Sequence, residues 1–311
     1  MPSLDSRFAP DHVVARTLAR LVGRRQLARL QRQGLPAALV EPLSFLVERC
    51  RPDGDYGPLD RIESLRAALG ARPDVVGSYV RGAPSPSRRA DESTPEFRSL
   101  AEVAAISSVP PLWGVFLHLC ARATRARTIL ELGAGAGISG AYLASSSACT
   151  RFVTVEGDAD RAALARANIS ALNPAAEVFA GSFDAGLDAL LPTFTAGLDL
   201  VFVDGNKRPG GYIALFDRFR VHLNPGAIVI ADDIQWTSMA GDWLALQARE
   251  GLSFAISAGR FGVCVWDGGA IRPRTGALFG IGDWDFYAWR RDAATKVAAY
   301  VPSVQVRRPE L

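Results

Sequence analysis

The sequence predicts an α/β fold: a doubly wound, mostly parallel sheet ending in an antiparallel hairpin, with an N-terminal helical region in front of it. Three observations carry that prediction. Thr128–Leu132, Arg151–Glu156, Leu198–Val203 and residues 227–231 are short, predominantly apolar runs, the mark of strands buried on both faces. Helical stretches separate them, which is the βαβ rhythm of a parallel sheet. Glycines at 133, 135 and 137 stand where the first of these runs gives way to a helix. Glycine there permits unusual backbone angles and lets a ligand approach the main chain closely.

Composition narrows the class. The chain has 311 residues, 49% hydrophobic and 22% charged, with a formal charge of +3. That apolar fraction supplies a core and excludes disorder as the main state. No run of ~18 uninterrupted apolar residues occurs, so no spanning helix is expected. Four scattered cysteines (Cys50, Cys120, Cys149 and Cys264) form neither a disulfide framework nor a CxxC metal knot. The N-terminus has no apolar signal core and carries Asp5 and Asp11, so a cytoplasmic location is expected. The small net charge gives no case for nucleic acid as a partner.

Taken in order, residues 1–94 read as a helical region. Val14, Leu18, Leu21 and Val22 lie at i, i+4, i+7 and i+8, one apolar face of a helix that Asp11 would cap and Gly34-Leu35-Pro36 would stop. Further helices are expected over 36–50 and 59–69. Residues 81–95 mix Gly, Pro, Ser and Arg without a period and read as a flexible linker or lid. The next unit, 95–267, opens with helical segments over 95–107 and 112–126. Strands and helices then alternate, with helices over 139–145, 159–172, 212–222 and 241–249 and a short strand at Glu177–Ala180. Residues 252–257 and 262–266 form the closing hairpin. The last unit, 268–311, is rich in aromatic residues, among them Phe279, Trp284, Phe286, Tyr287 and Trp289.

The stretch Ile129-Leu-Glu-Leu-Gly-Ala-Gly-Ala-Gly resembles the first motif of class I S-adenosylmethionine (SAM)-dependent methyltransferases, an acidic residue followed by GxGxG. The resemblance implies a Rossmann-like fold in which Gly133, Gly135 and Gly137 wrap the methionyl part of SAM and Glu131 holds the turn. Gly135 to Gly140 also satisfies GxGxxG, the dinucleotide fingerprint, so the turn alone leaves NAD open. Glu156, 19 residues after Gly137, is placed to accept both ribose hydroxyls of either nucleoside. Gly181-Ser182-Phe183 follows the third strand, where such methyltransferases usually contact adenine. Ser182 would bond the base and Phe183 stack on it, unless both are turn residues.

The choice of cofactor rests on acids further along. Asp204 ends the fourth strand, and Asp232 with Asp233 ends the fifth. In an open parallel sheet, ligands bind outside these carboxyl ends. Three converging carboxylates would repel one another unless a cation joins them. One candidate is a divalent ion such as Mg2+. The other is Lys207, one of only two lysines in an arginine-rich chain, whose compact amine suits base work when its pKa falls. The pattern resembles the metal-dependent O-methyltransferases of the catechol and caffeoyl-CoA type. Asp204, Lys207 and Asp232 match that family's fourth-strand Asp, the Lys three residues on, and the Asp after the fifth strand. Asp233 stands where the family usually has Asn. The Asp-Gly-Asn and Asp-Asp-Ile-Gln-Trp stretches are also similar to a bacterial group with DGNH and DDIHW-type motifs, with Lys207 and Gln235 replacing the histidines.

The resemblance implies transfer of a methyl group to a small-molecule hydroxyl. Asp204, Asp232 and Asp233 would hold the metal, and Lys207 and Asp204 would be catalytic. Tyr212, Trp236 and Trp243 are candidate walls of the acceptor site, or simply core. Two alternatives stay open: metal-free methylation of a carboxylate or nitrogen, and a regulator that binds SAM or NAD without catalysis. Residues 1–52 carry nine arginines against four acids, a solvated amphipathic face or a surface for an anionic partner. A homodimer through the N-terminal helices is a further expectation.

Overall fold

The computed structural model describes residues 10–54, 56–72, 75–78, 96–102, 108–236 and 239–278. The linker at 81–95 and the aromatic residues from Phe279 onward lie outside them.

Three helices come first: α1 (Pro10–Arg32), α2 (Ala37–Glu48) and α3 (Gly57–Gly70). Two short strands, β1 (Val75–Ser78) and β2 (Glu96–Ser99), pair antiparallel. Both correct the sequence reading, which has helix up to about residue 80 and again over 95–107. A four-residue strand is too short to show a period, and its partner lies some twenty residues away. After α4 (Leu100–Glu102) and α5 (Pro111–Ala123) the alternation begins. It runs β3 (Thr128–Leu132), α6 (Ile138–Ala144), β4 (Arg151–Glu156), α7 (Ala159–Ser170), β5 (Glu177–Ala180), α8 (Phe183–Leu190), β6 (Leu198–Val203), α9 (Gly211–Phe219) and β7 (Leu223–Ala231). Then come α10 (Ala240–Leu246), β8 (Leu252–Ala258), β9 (Phe261–Trp266) and β10 (Arg274–Ala277).

The eight-stranded sheet has the order β10-β8-β9-β7-β6-β3-β4-β5. Every strand but β9 runs the same way, and β9 is antiparallel to both β7 and β8. The mostly parallel sheet and the antiparallel hairpin are therefore as the sequence predicts. The hairpin is not the sheet edge, however. Its second strand inserts beside β7, and β10 adds the edge beyond β8.

Successive residues of a strand point to opposite faces. Ile129, Phe202, Ile228 and Ile230 enter one core, with Leu39, Leu43 and Phe45 of α2, Phe116 of α5 and Tyr142 of α6. Leu130, Leu132, Val201 and Val203 enter the other, with Leu187 of α8, Phe216 of α9 and Trp243 of α10. The N-terminal helices thus build one wall of the sheet domain. Tyr142 on α6 ties into that wall by donating its hydroxyl to Glu63 of α3 at 2.5 Å.

On α1 the buried residues are Leu27 and Leu30, whereas Leu18, Leu21 and Val22 are exposed. This corrects the expected core face at Leu18, Leu21 and Val22, while Leu27 and Leu30 dock on the protein. Arg24 pairs with Glu48 of α2 at 2.5 Å. Among the described residues, no helix is long and apolar enough to cross a membrane.

Candidate functional site

The site lies at the carboxyl ends of β3, β4, β6 and β7. At the end of β3 the chain turns through Gly133 (φ +110), Gly135 and Gly137 (φ +82), and Gly137 caps α6. A Cβ on Gly133 would lie 2.2 Å from the carbonyl oxygen of Asp204, and one on Gly137 would lie 2.9 Å from the Cα of Ala165. Both positions therefore demand glycine for conformation and for space.

Glu156 closes the turn from β4. One of its carboxylate oxygens accepts from Gly135 N at 2.8 Å and the other from Asp158 N at 3.0 Å. Asp158 caps α7 by accepting from Arg161 N at 2.9 Å. Glu131, inside β3, is fully buried, and neither of its carboxylate oxygens has a hydrogen-bond partner. Burial pushes its pKa up to about 8; the nearby Ser139 and Thr154 hydroxyls ease the charge, and Asp204 and Glu156 oppose it. A glycine turn beside a buried acid suits a ligand with a polar, amine-bearing end, as SAM has. Ser182 caps α8 through Ala185 N at 3.2 Å. Phe183 begins that helix, and its ring lies against Gly205.

The register Val203↔Ala231 sets Asp204 beside Asp232. With Asp233, whose φ is +55, each places a carboxylate oxygen within 4.8 Å of the others. Left-handed backbone is uncommon outside glycine and gathers at functional sites. Lys207 reaches into the group. Its ammonium is 2.8 Å from Asp204, hydrogen-bonds Asp233 and lies 4.0 Å from Asp232. The ring of Trp236 covers it, with its centroid 4.9 Å from Nζ.

A residue not singled out from the sequence completes the arrangement. Arg260, in the turn between β8 and β9, is buried and grips Asp232 with both ends of its fork. Its Nε donates to one oxygen at 2.6 Å and its Nη2 to the other. Nη2 also donates to Asp233 at 3.2 Å, and the Arg260 carbonyl accepts from Ile234 N at 3.1 Å.

These contacts settle the charge states. Burial draws the Lys207 pKa down, but the facing Asp204, Asp232 and Asp233 outweigh it and hold the ammonium well above the ordinary lysine range. That direction runs against a neutral Lys207 serving as base. Burial raises both Asp232 and Asp233, and Arg260 and Lys207 pull them back. For the divalent ion implied by the resemblance, the donor set as arranged does not fit. Arg260 engages both oxygens of Asp232, the Asp233 N–H also donates to one of them at 2.7 Å, and an ammonium bridges Asp204 and Asp233.

The three aromatic candidates separate. Trp236 borders the cluster and is partly exposed. Tyr212 is buried beneath it, its hydroxyl donating to the Asp232 carbonyl at 2.9 Å. Trp243 lies in the core, its indole N–H on Ser257 at 2.8 Å and its ring over Gly262.

Comparison with known proteins agrees with this geometry. The family described as methyltransferase domain matches residues 130–234, from the glycine turn to the paired acids. A catechol O-methyltransferase of Niastella koreensis is 33% identical over 140 residues, 44% of this chain and 62% of that protein. One from Mycobacterium tuberculosis is 36% identical over 126 residues, 39% of this chain and 54% of the relative. The chain therefore spans less than two thirds of the length of these relatives. An O-methyltransferase from Bacillus cereus, solved with S-adenosylhomocysteine, aligns at 22% identity and a TM-score of 0.47 over 70% of this chain and 92% of its own. Residues 130–234 thus resemble a methyltransferase domain, and the matched stretch holds the glycine turn and all three clustered acids.

Proposed function

We propose that this chain is a SAM-dependent O-methyltransferase acting on a hydroxyl of a small molecule. The observation that carries the reading is the contact between the glycine turn and the charged cluster: the backbone of Gly133 abuts that of Asp204. A cofactor seated on that turn has the acids and Lys207 beside it.

SAM supplies an electrophilic methyl group on a sulfonium. Glu156 retains a free lone pair on each oxygen for ribose hydroxyls, since each accepts only one backbone N–H. The Lys207 ammonium faces the acceptor oxygen and stabilises negative charge developing on it. Asp204 is the least buried of the three acids, with its side chain 19% exposed, and serves as proton acceptor. As the oxygen–methyl bond forms and the sulfur–methyl bond breaks, the hydroxyl proton passes to Asp204 and then to solvent. Trp236 walls the acceptor, and alignment of the two reactants supplies up to ~7–11 kcal/mol of the barrier reduction. The divalent ion implied by the resemblance would have to displace Lys207 and Arg260 from the acids.

The test is calorimetry with S-adenosylhomocysteine, followed by transfer of labelled methyl from SAM to catechol and other small hydroxyl compounds. Binding with transfer to oxygen is expected. Heat only with a nicotinamide dinucleotide, or transfer confined to carboxylate or nitrogen acceptors, would overturn the reading.

A further inference from the structure

Three carboxylates at one sheet edge usually announce a cation-binding site, yet here the chain's own cations fill it. A hard divalent ion needs several oxygen ligands with open lone pairs around one centre. The carboxylates of Asp204, Asp232 and Asp233 come close enough, within 4.8 Å. Asp232, however, is fully buried, and a bidentate guanidinium engages both its oxygens. That planar fork matches a carboxylate and is hard to replace with a single sphere of charge. The ammonium of Lys207 touches Asp204 and Asp233 and stands 4.0 Å from Asp232, at the centre where an ion would sit. Trp236 covers it there.

Displacing these cations is costly. Arg260 is 7% exposed, and taking Asp232 from it would leave a buried guanidinium short of its partner. Its backbone carbonyl also accepts from Ile234 N, which ties the turn carrying Arg260 to the turn that presents Asp233.

We infer that Lys207 and Arg260 replace a divalent metal in this protein: the acidic cluster is neutralised from within and takes up no divalent ion in the working site. Arg260 is then a positioning residue, fixing Asp232 and Asp233, while Lys207 is the cation that meets the acceptor. This deepens the proposed function and rests on it only for the turnover measurement below.

Metal binding can be read without turnover. Chelator-treated, full-length protein with S-adenosylhomocysteine is titrated with Mn2+, and free aquo-Mn2+ is followed by electron paramagnetic resonance. The wild type is expected to bind no ion below about millimolar concentration. Lys207→Ala, which empties the centre, is expected to bind Mn2+ at least about tenfold more tightly, because the carboxylates lose their internal counter-ion. Lys207→Gln replaces it should the alanine variant fail to fold. One tightly bound Mn2+ per wild-type chain, or no gain in either variant, would overturn the inference. With an active acceptor in hand, turnover after exhaustive chelation should stay within about twofold of the untreated rate. A loss that Mg2+ restores would also overturn it. If no acceptor is methylated, the proposed function fails, while the Mn2+ titration still decides the inference.

Discussion

Gly133 and Asp204 meet backbone to backbone, so tightly that a methyl group on the glycine would lie 2.2 Å from the aspartate carbonyl. The Asp204 N–H donates to Leu132 O at 2.8 Å, the residue before that glycine. The glycine turn and the end of β6 are therefore joined backbone to backbone. Gly133→Ala should cost roughly 1–3 kcal/mol from its positive φ alone, and more from the clash. S-adenosylhomocysteine affinity measured by calorimetry should fall at least about tenfold, equivalent to ~1.4 kcal/mol. Unchanged affinity would show that the turn does not meet the cofactor.

Asp242 holds the start of α9 from a different helix. Its two carboxylate oxygens accept from Gly210 N at 2.6 Å and Tyr212 N at 2.8 Å, and it is buried. Asp242→Ala should destabilise the protein by about 1–3 kcal/mol in urea unfolding, since the buried Tyr212 N–H and the Gly210 N–H lose their acceptor. Asp242→Asn keeps one oxygen and should cost less. Equal losses in the two variants would argue against capping as the cause.

The pKa of Glu131 is raised by burial to about 8 in the fold, from an ordinary value of 4.5. A raised carboxyl favours the folded state when protonated. Its contribution is complete below about pH 4.5 and disappears as pH climbs through 8, with a slope of at most ~1.4 kcal/mol per pH unit. Glu131→Gln should flatten stability over this window and make the variant relatively more stable at pH 8 than at pH 5. Parallel stability–pH curves would refute the shift.

Trp236 and Trp243 should behave oppositely. Trp243→Ala removes a core ring and its Ser257 bond, costing about 3–5 kcal/mol of stability. Trp236→Ala leaves the fold nearly intact but should raise KM for the acceptor more than it lowers kcat. A stability loss as large for Trp236→Ala would mean that it is core rather than wall.

The sheet strands were legible because burial on both faces writes itself as apolar runs, as in residues 200–203 of β6. The acids were legible because each sits one step past such a run. Arg260 was not, for a topological reason. The sequence offers two strands, β8 and β9, and does not say which of them neighbours β7. Only the antiparallel register Ala231↔Gly262 brings Arg260 beside the Asp232–Asp233 pair, within side-chain reach of Asp232, 28 residues upstream. Exposure of Leu18, Leu21 and Val22 was equally hidden, because a helical period marks an apolar face without saying which turns of the helix have a neighbour.

The edge strand β10 lies against α1: a Cβ on Gly276 would fall 2.4 Å from the Leu30 side chain. An early helix and a late strand are thus mutual supports. During synthesis on the ribosome, α1 has no finished surface to settle on until the segment around residue 276 has left the exit tunnel. Nascent chains arrested before that point should leave α1 open to chaperones.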